Sequence, residues 1–480
     1  MTIQSNPAPQ AGAVKLAIAL AGTVFVLMML VGVIMRASQG KIIEIDPALF
    51  YQLMTVHGAG MVGTAAFSGA CIMWYFLGRY VRLTPAVFWI FLGLFLTGVV
   101  LVLVAVLVGG FGAGWTFLYP LPAQSGGAWE TWAAVSFILG YISIGVGFLI
   151  FHLEAGRAMI KQYGGLSHAL GWPLAFGKAD PESAPPPTVI AAATITVFNS
   201  LGITVGAAVL IITLVDLLIP GFINIDALLA KNMIFFFGHV LINASIYMAV
   251  IAVYEIIPEY TRRPWKSSRM LAISWAAVLL IVMAVFPHHL LQDTVMPAWA
   301  LAMGQIVSYM SGLPLLAVTA FSLLAYLRGS GIRWDVASSL LVLGIAGWSI
   351  GSVPAILDSI ISVNKVMHNT QWVPGHFHIY LLLGEVAMVF GFMGWLVRQP
   401  RGDKRFGVID RAAFAVYLFG GAGFTLMFLI SGAMSVPRRW AVHIEAWILQ
   451  DQIATGFAVL VVLGSVIFLL RYLGGVLRSD

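Results

Sequence analysis

The residues that carry chemistry in this chain are its histidines. His376 and His378 stand two apart near the start of a long apolar run, inside the stretch from His368 to Tyr380. On a helix, two residues turn the side chain by about 200°. The two rings therefore point to nearly opposite faces and cannot share one metal. As ligands they serve two centres, with Phe377 on the rung between them. His288 and His289 are adjacent, behind Pro287, at the end of another apolar run. At a frayed helix end both rings can converge on one ion, and His239 can supply a third nitrogen. Three imidazoles without a thiolate leave an open coordination position, which a catalytic metal needs. His57 and one member of the 376/378 pair can clamp a haem from both sides. A haem held that way passes electrons but has no room for substrate. The other member can hold a second haem from one side, its free face toward the three-histidine metal. A purely structural use of these histidines, as bonds between helices, leaves the adjacent pair and the two-apart pair at one depth without an account.

The elements able to place them are membrane helices. The chain has 480 residues, 60% apolar and only 9% charged, with a mean hydropathy of +0.97. That is the composition of a polytopic membrane protein. Apolar stretches predict twelve spans, at 13–36, 50–77, 86–109, 129–153, 187–219, 231–257, 269–287, 298–327, 336–361, 371–397, 411–435 and 447–474. Each is long enough for a hydrocarbon core of about 30 Å. They make one membrane domain over 1–480, with no separate soluble domain. The first run lacks a cleavage pattern and reads as a membrane helix. The longest connection, 154–186, is proline-rich toward its end and reads as a surface loop. Cys71 is the only cysteine, which excludes an intramolecular disulfide, a Cys-x-x-Cys-His haem attachment and a two-cysteine copper site.

Charge sets the orientation. Of the 25 Lys and Arg residues, nineteen fall on one side, Arg401, Lys404, Arg405 and Arg478 among them. The other six are Arg36, Lys41, Lys231, Lys365, Arg438 and Arg439. The positive-inside rule places both termini in the cytoplasm. The net charge of +6 reads as this topology signal and calls for no nucleic-acid partner. With that orientation His57 lies about 10 Å below the outer surface, and His239, His288, His289, His376 and His378 fall at the same depth. His152 and His168 fall at or beyond the inner ends of spans and read as interfacial or loop residues. His443 lies in the last outer loop.

At this point the residues resemble the catalytic subunit I of the haem–copper oxidase superfamily, over nearly the whole chain. Twelve spans carry His57 in the second, Gly238-His239 in the sixth, His288-His289 after the seventh and His376-Phe377-His378 in the tenth. The stretch from His368 to His378 is most similar to the B-type branch, which includes the ba-type oxidases. The resemblance implies an all-α integral membrane protein, a twelve-transmembrane-helix bundle of the subunit I type. It implies two haems of b-type and one copper ion, with non-haem iron as the alternative. By this resemblance His57 and His378 are the axial pair of the low-spin haem, and His376 is the ligand of the high-spin haem. His239, His288 and His289 hold the second metal. Arg438 and Arg439 are similar to the arginine pair that binds haem propionates, as guanidinium suits carboxylates, and His368 lies on the same surface. Also implied are a bacterial cytoplasmic membrane, metal centres near its outer face, and a place in a respiratory electron-transport chain. The electron-donating partner is an outer-face subunit, cupredoxin-like with a dicopper centre or, as the alternative, carrying a c-type haem.

One position departs from the oxygen-reducing members. They carry a tyrosine four residues after the sixth-span histidine, covalently tied to it, which supplies an electron and a proton when the O–O bond splits. Here that position is Asn243. A spacing of four puts Asn243 about 40° from His239, beside the metal. An amide neither forms the cross-link nor becomes a radical. Tyr247 stands one turn further on and about 80° round. Nitric oxide reductases of the superfamily lack the tyrosine, and 2 NO + 2 e⁻ + 2 H⁺ → N₂O + H₂O needs only two electrons. The expectation is a nitric oxide reductase of denitrification; the alternative is a B-type terminal oxidase using another radical source. A transporter or haem carrier without turnover is the third class. The familiar NO reductases place a glutamate at this position to help hold iron; Asn243 departs from that too and favours copper. Membrane-embedded acids include Asp216, Glu255, Asp358 and Glu385. Glu255, Tyr254, Ser308, Tyr309, Ser311 and Thr319 read as a polar path from the inside to the centre.

Overall fold

The computed structural model describes residues 10–117, 119–122, 124–223, 225–293, 295–398 and 407–477. Arg401, Lys404, Arg405 and Arg478, used above to read topology, lie outside the described residues. Among the described residues, twelve helices are long and apolar enough to cross a membrane. They are α1 (Ala11–Gln39), α2 (Pro47–Leu77), α3 (Pro85–Val108), α4 (Thr131–Tyr163), α5 (Pro187–Leu218), α6 (Ala227–Thr261), α7 (Arg269–Leu290), α8 (Ala298–Leu327), α9 (Val336–Asp358), α10 (Trp372–Leu396), α11 (Val408–Ala433) and α12 (Glu445–Val476). The all-α, twelve-helix expectation is met.

Local chemistry sets where several of these helices begin. Asp46 caps α2 by accepting from the Ala48 N–H at 2.7 Å, with Pro47 at the first helical position, where its missing N–H costs nothing. Asp226 caps α6 through the Leu229 N–H, and Asp335 with Ser338 forms a capping box on α9.

Burial sorts the helices. In α2, α6 and α10, 83, 78 and 78% of the most apolar window is enclosed, against 22% in α8. The three most enclosed helices are those that carry His57, His239 and the 376/378 pair. Large apolar side chains on the outer helices, such as Leu107, Ile211 and Phe321, are exposed, as a lipid-facing surface requires.

Two departures from regular helix shape the centre. The end of α7 tightens into a 3₁₀ turn over Phe286–Leu290. α10 widens into a π-helical segment over Ile379–Val386, a feature frequent at functional sites. α9 makes room for it with Gly344, Gly347 and Gly351. A Cβ on Gly347 would lie 2.4 Å from the Leu383 carbonyl oxygen, and one on Gly351 would lie 3.3 Å from the Tyr380 nitrogen. Inside a membrane every backbone group needs a partner, and the Tyr417 hydroxyl donates to the Leu382 carbonyl at 2.5 Å. Gly347→Ala should therefore force two backbones apart and cost roughly 1–3 kcal/mol. Thermal unfolding of the purified protein in detergent measures this; an unchanged Tm would mean the groove has slack.

Candidate metal centre

α2 and α10 bring His57 and His378 face to face. Their ring centroids are 6.3 Å apart and their planes differ by 20°. Each Nδ1 is held by a backbone carbonyl: His57 by Met28 O at 2.7 Å and His378 by Pro374 O at 2.6 Å. A ring whose Nδ1–H is donated carries its lone pair on Nε2, the tautomer a metal ligand needs. Two metal–nitrogen bonds of about 2 Å plus two ring radii come to about 6 Å, so the separation fits one ion between the rings. Gly32 leaves the space beside His57: a Cβ there would lie 3.0 Å from its Cε1. Phe428 stacks on His378 at 4.9 Å.

His376 is turned to another part of the bundle. Its Nδ1 is buried without a well-formed hydrogen bond, and its ring lies 6.4 Å from that of Tyr380, one turn on. Trp115, from the segment between α3 and α4, stacks on the intervening Phe377 at 6.2 Å.

His239, His288 and His289 form one cluster, with a potential ligand atom of each within 4.8 Å of the others. The 3₁₀ turn at the end of α7 brings the rings of His288 and His289 to 4.2 Å, nearly perpendicular. His239 Nδ1 and His289 Nε2 are 3.2 Å apart. Nitrogen ligands bound tetrahedrally at about 2 Å are separated by about 3.3 Å, so this pair already has the spacing of a metal site. Two side chains orient the rings. Ser308 of α8 pairs its Oγ with His288 Nδ1 at 2.7 Å. The Asn243 amide nitrogen lies 3.0 Å from His239 Nε2 and 2.9 Å from the His239 carbonyl oxygen. The Asn243 amide nitrogen is a donor, so this contact puts the His239 lone pair on Nε2; a metal on Nδ1, the nitrogen that faces His289, needs the amide turned so that its oxygen accepts from Nε2–H.

A cationic rim closes the same end of the bundle. Gln371 donates its backbone N–H to Val436, and Arg438 donates to Asn369, tying the entry of α10 to the segment that carries Arg438 and Arg439. Burial, then the neighbouring Arg439, brings the Arg438 guanidinium down to about 10. Burial, then the two arginines, holds His368 down to about 4, so it is neutral at pH 7. Among the described residues no ion pair neutralises either arginine.

The structure also corrects expectations. His152 is not interfacial: α4 runs on to Tyr163, and His152 is fully buried with its Nε2 2.8 Å from the Asn199 amide. Glu255 does not join Tyr254 on a path toward α8. One residue turns the helix by about 100°, and Glu255 faces α2 and α5, where it accepts from Tyr80, Thr188 and Arg79. Tyr254 does reach Thr319, at 2.8 Å, while Ser308 serves His288. His443 does lie in the loop between α11 and α12, and there it is buried against Asp451 at 2.5 Å, which also pairs with Arg36 at 2.7 Å. Sequence reasoning missed Gly32 beside His57 and the Arg36–Asp451 pair, whose members are 415 residues apart with nothing in their spacing to announce them.

A family model described as cytochrome C and quinol oxidase polypeptide I matches residues 12–467. The cytochrome c oxidase subunit 1 of Thermus thermophilus is 24% identical over 416 residues, covering 81% of this chain and 69% of that one. The subunit of the same name from Synechocystis is 24% identical, covering 83% and 71%. A solved heme-copper terminal oxidase dimer superposes with a TM-score of 0.75 at 20% identity, over 96% of this chain and 84% of that one.

Proposed function

The chain belongs to the cytochrome c and quinol oxidase polypeptide I family, a multi-pass oxidoreductase of the haem–copper superfamily, and on that premise we propose that it is the catalytic subunit of a nitric oxide reductase. The observation that carries this reading is Asn243 on His239. Where oxygen-reducing relatives are expected to have a cross-linked phenol, this chain has an amide 3.0 Å from the ring nitrogen. It can orient the ring but cannot yield an electron. A four-electron cleavage of O₂ loses a donor there, whereas joining two NO molecules needs two electrons and no phenol.

The donor sets fit the cofactors of the family. His57 and His378, with both Nδ1 atoms tied off, would hold a low-spin haem, and His376 a high-spin haem. His239, His288 and His289 would hold the second metal, copper because among the described residues no carboxylate joins the cluster. Arg438, Arg439 and His368 would receive propionates, two guanidiniums without a direct ion pair among the described residues being suited to carboxylates. When bound, these groups supply the electrons and the open coordination positions for the gas. The chain's own part is preorganisation. Met28 and Pro374 fix the tautomers of His57 and His378, Ser308 holds His288 at Nδ1, and Asn243 holds the position of the His239 ring. In a site closed from water a fixed amide would be worth more than in water. The partner is proposed to be a cupredoxin-like subunit docked over the cationic rim, on the outer face of a bacterial cytoplasmic membrane.

A second reading, a terminal oxidase, is favoured by the names of the relatives and by Tyr380, a phenol one turn from His376. The test is gas turnover by the purified complex at matched electron supply. NO reduction to N₂O with slow or absent O₂ uptake is expected. Fast, cyanide-sensitive O₂ reduction without N₂O would replace the first reading by the second. The ligand assignment has its own check. His57→Ala and His378→Ala should each remove the six-coordinate haem signal and leave CO binding at the other haem. If either variant loses only CO binding, the roles of His376 and His378 are exchanged.

A further inference from the structure

The acids singled out above have different fates, and Asp451 of α12 is paired with Arg36. Asp216 and Asp358 sit in the last turns of their helices, and Glu255 is paired with Arg79. Glu385 is left in the middle of α10, 2% exposed, with the Ser245 hydroxyl of α6 as its hydrogen-bond partner. We propose that Glu385 is a redox-linked proton-holding residue: it takes up a proton when an electron enters the metal centre and releases it as the reduction consumes that electron. The proposal rests on the reading of the site as a proton-consuming reduction centre, whichever gas it reduces.

Helix phase brings the carboxyl to this place. In an unbroken α-helix Glu385, seven residues past His378, would lie about 20° from it, on the face of the His57–His378 pair. The π-helical segment Ile379–Val386 inserts the equivalent of one residue and turns the phase by about 100°. Glu385 leaves that face and meets Ser245, on the helix that carries His239 and Asn243. The glycine groove of α9 and the Tyr417 hydroxyl stabilise the widened segment. Such a deformation costs regular hydrogen bonds, and here its consequence is the aim of one acid.

The surroundings suit a group that changes charge. A carboxylate without a counter-ion is costly at membrane depth, while a hydroxyl donor favours the ionised form. The balance is then open to the charge of the centre. The helices packed against this part of α10 carry titratable groups that include His57 and Cys71 on α2, Tyr247 on α6 and Tyr417 on α11, with Tyr380 on α10 itself; α9 has none between Val336 and Leu357. Among the described residues none of these pairs with Glu385. Nine residues separate Glu385 from His376, about 13 Å along the axis. At an effective dielectric near 20, one electron at that distance changes proton affinity by about tenfold. The balance closes: one electron enters, one proton from the aqueous phase binds a Glu385 oxygen, and both leave in the reduced product.

Anaerobic redox titration of the holoenzyme across pH tests this without any gas, so its outcome is independent of whether NO or O₂ is the substrate. The native high-spin haem midpoint should fall as pH rises through the range in which Glu385 loses its proton. E385Q should flatten that part of the slope with haem spectra unchanged, and E385D should restore it at a displaced pH. The reduced-minus-oxidised infrared spectrum of the native enzyme should contain a protonated-carboxyl C=O band that S245A shifts, a readout that survives if E385Q fails to assemble. An identical midpoint slope in native and E385Q enzyme, or the absence of the band from the native spectrum, overturns the proposal.

Discussion

Turnover by His239→Ala, His288→Ala and His289→Ala enzymes should fall by about three orders of magnitude each, with both haem spectra retained. The cluster spans three ligand atoms within 4.8 Å, so removing one leaves two nitrogens and an ion free to exchange with water. A bound metal contributes several kcal/mol to stabilising developing charge, and each 1.4 kcal/mol is a factor of ten in rate. The three losses should not multiply, because any one of them empties the same site. Elemental analysis decides the identity of the metal: copper should drop from one equivalent toward zero in all three variants. If copper is unchanged and iron falls by one, the cluster holds non-haem iron. Ser308→Ala is the graded control. Its hydroxyl touches His288 Nδ1 at 2.7 Å and no metal, so metal affinity should weaken by roughly 10–100-fold. High copper in the medium should restore occupancy and rate.

Much of this site was legible in the sequence for a geometric reason. Two residues on a helix reverse a side chain, so the rings of His376 and His378 were expected to face different parts of the bundle, as they do. The adjacent pair His288–His289 signalled a broken helix, and the 3₁₀ turn Phe286–Leu290 is that break. Spans were legible because lipid demands uninterrupted apolar helices. What stayed hidden depended on phase or on length. The extra turns of α4 carried His152 from the interface into the interior. One residue of rotation sent Glu255 to Arg79 and Tyr254 to Thr319. The π-helical segment of α10 has no compositional signature, since Leu381, Leu382 and Leu383 suit an α-helix equally well. It exists because the glycines of α9 admit a wider backbone, a tertiary cause that a local pattern cannot carry.

Asn243→Ala should lower kcat for NO by about 10²-fold while leaving metals, haems and KM little changed. The amide lies between the His239 ring and its own helix: 3.0 Å from Nε2 and 2.9 Å from the carbonyl oxygen one turn back. Alanine removes both bonds and allows His239 to rock about its Cβ. The ring stays tethered by the metal and by its neighbours, so occupancy survives, but its angle at the moment of N–N bond formation does not. Losing one preorganised donor costs about 10²–10³ in rate; an amide that acts through the His239 ring belongs at the low end. A split between kcat and KM separates this from simple unfolding, which would lower the amount of active enzyme and leave kcat per haem unchanged. The comparison with Tyr380→Phe completes the test. If NO is the substrate, Tyr380 is a packing residue and its loss leaves N₂O formation within a few-fold of native. If O₂ is the substrate and Tyr380 supplies the missing electron, Tyr380→Phe stops O₂ reduction while Asn243→Ala barely slows it. Rates indifferent to Asn243 and dependent on the Tyr380 hydroxyl would therefore reverse the assignment of the gas while leaving the six histidines where they are.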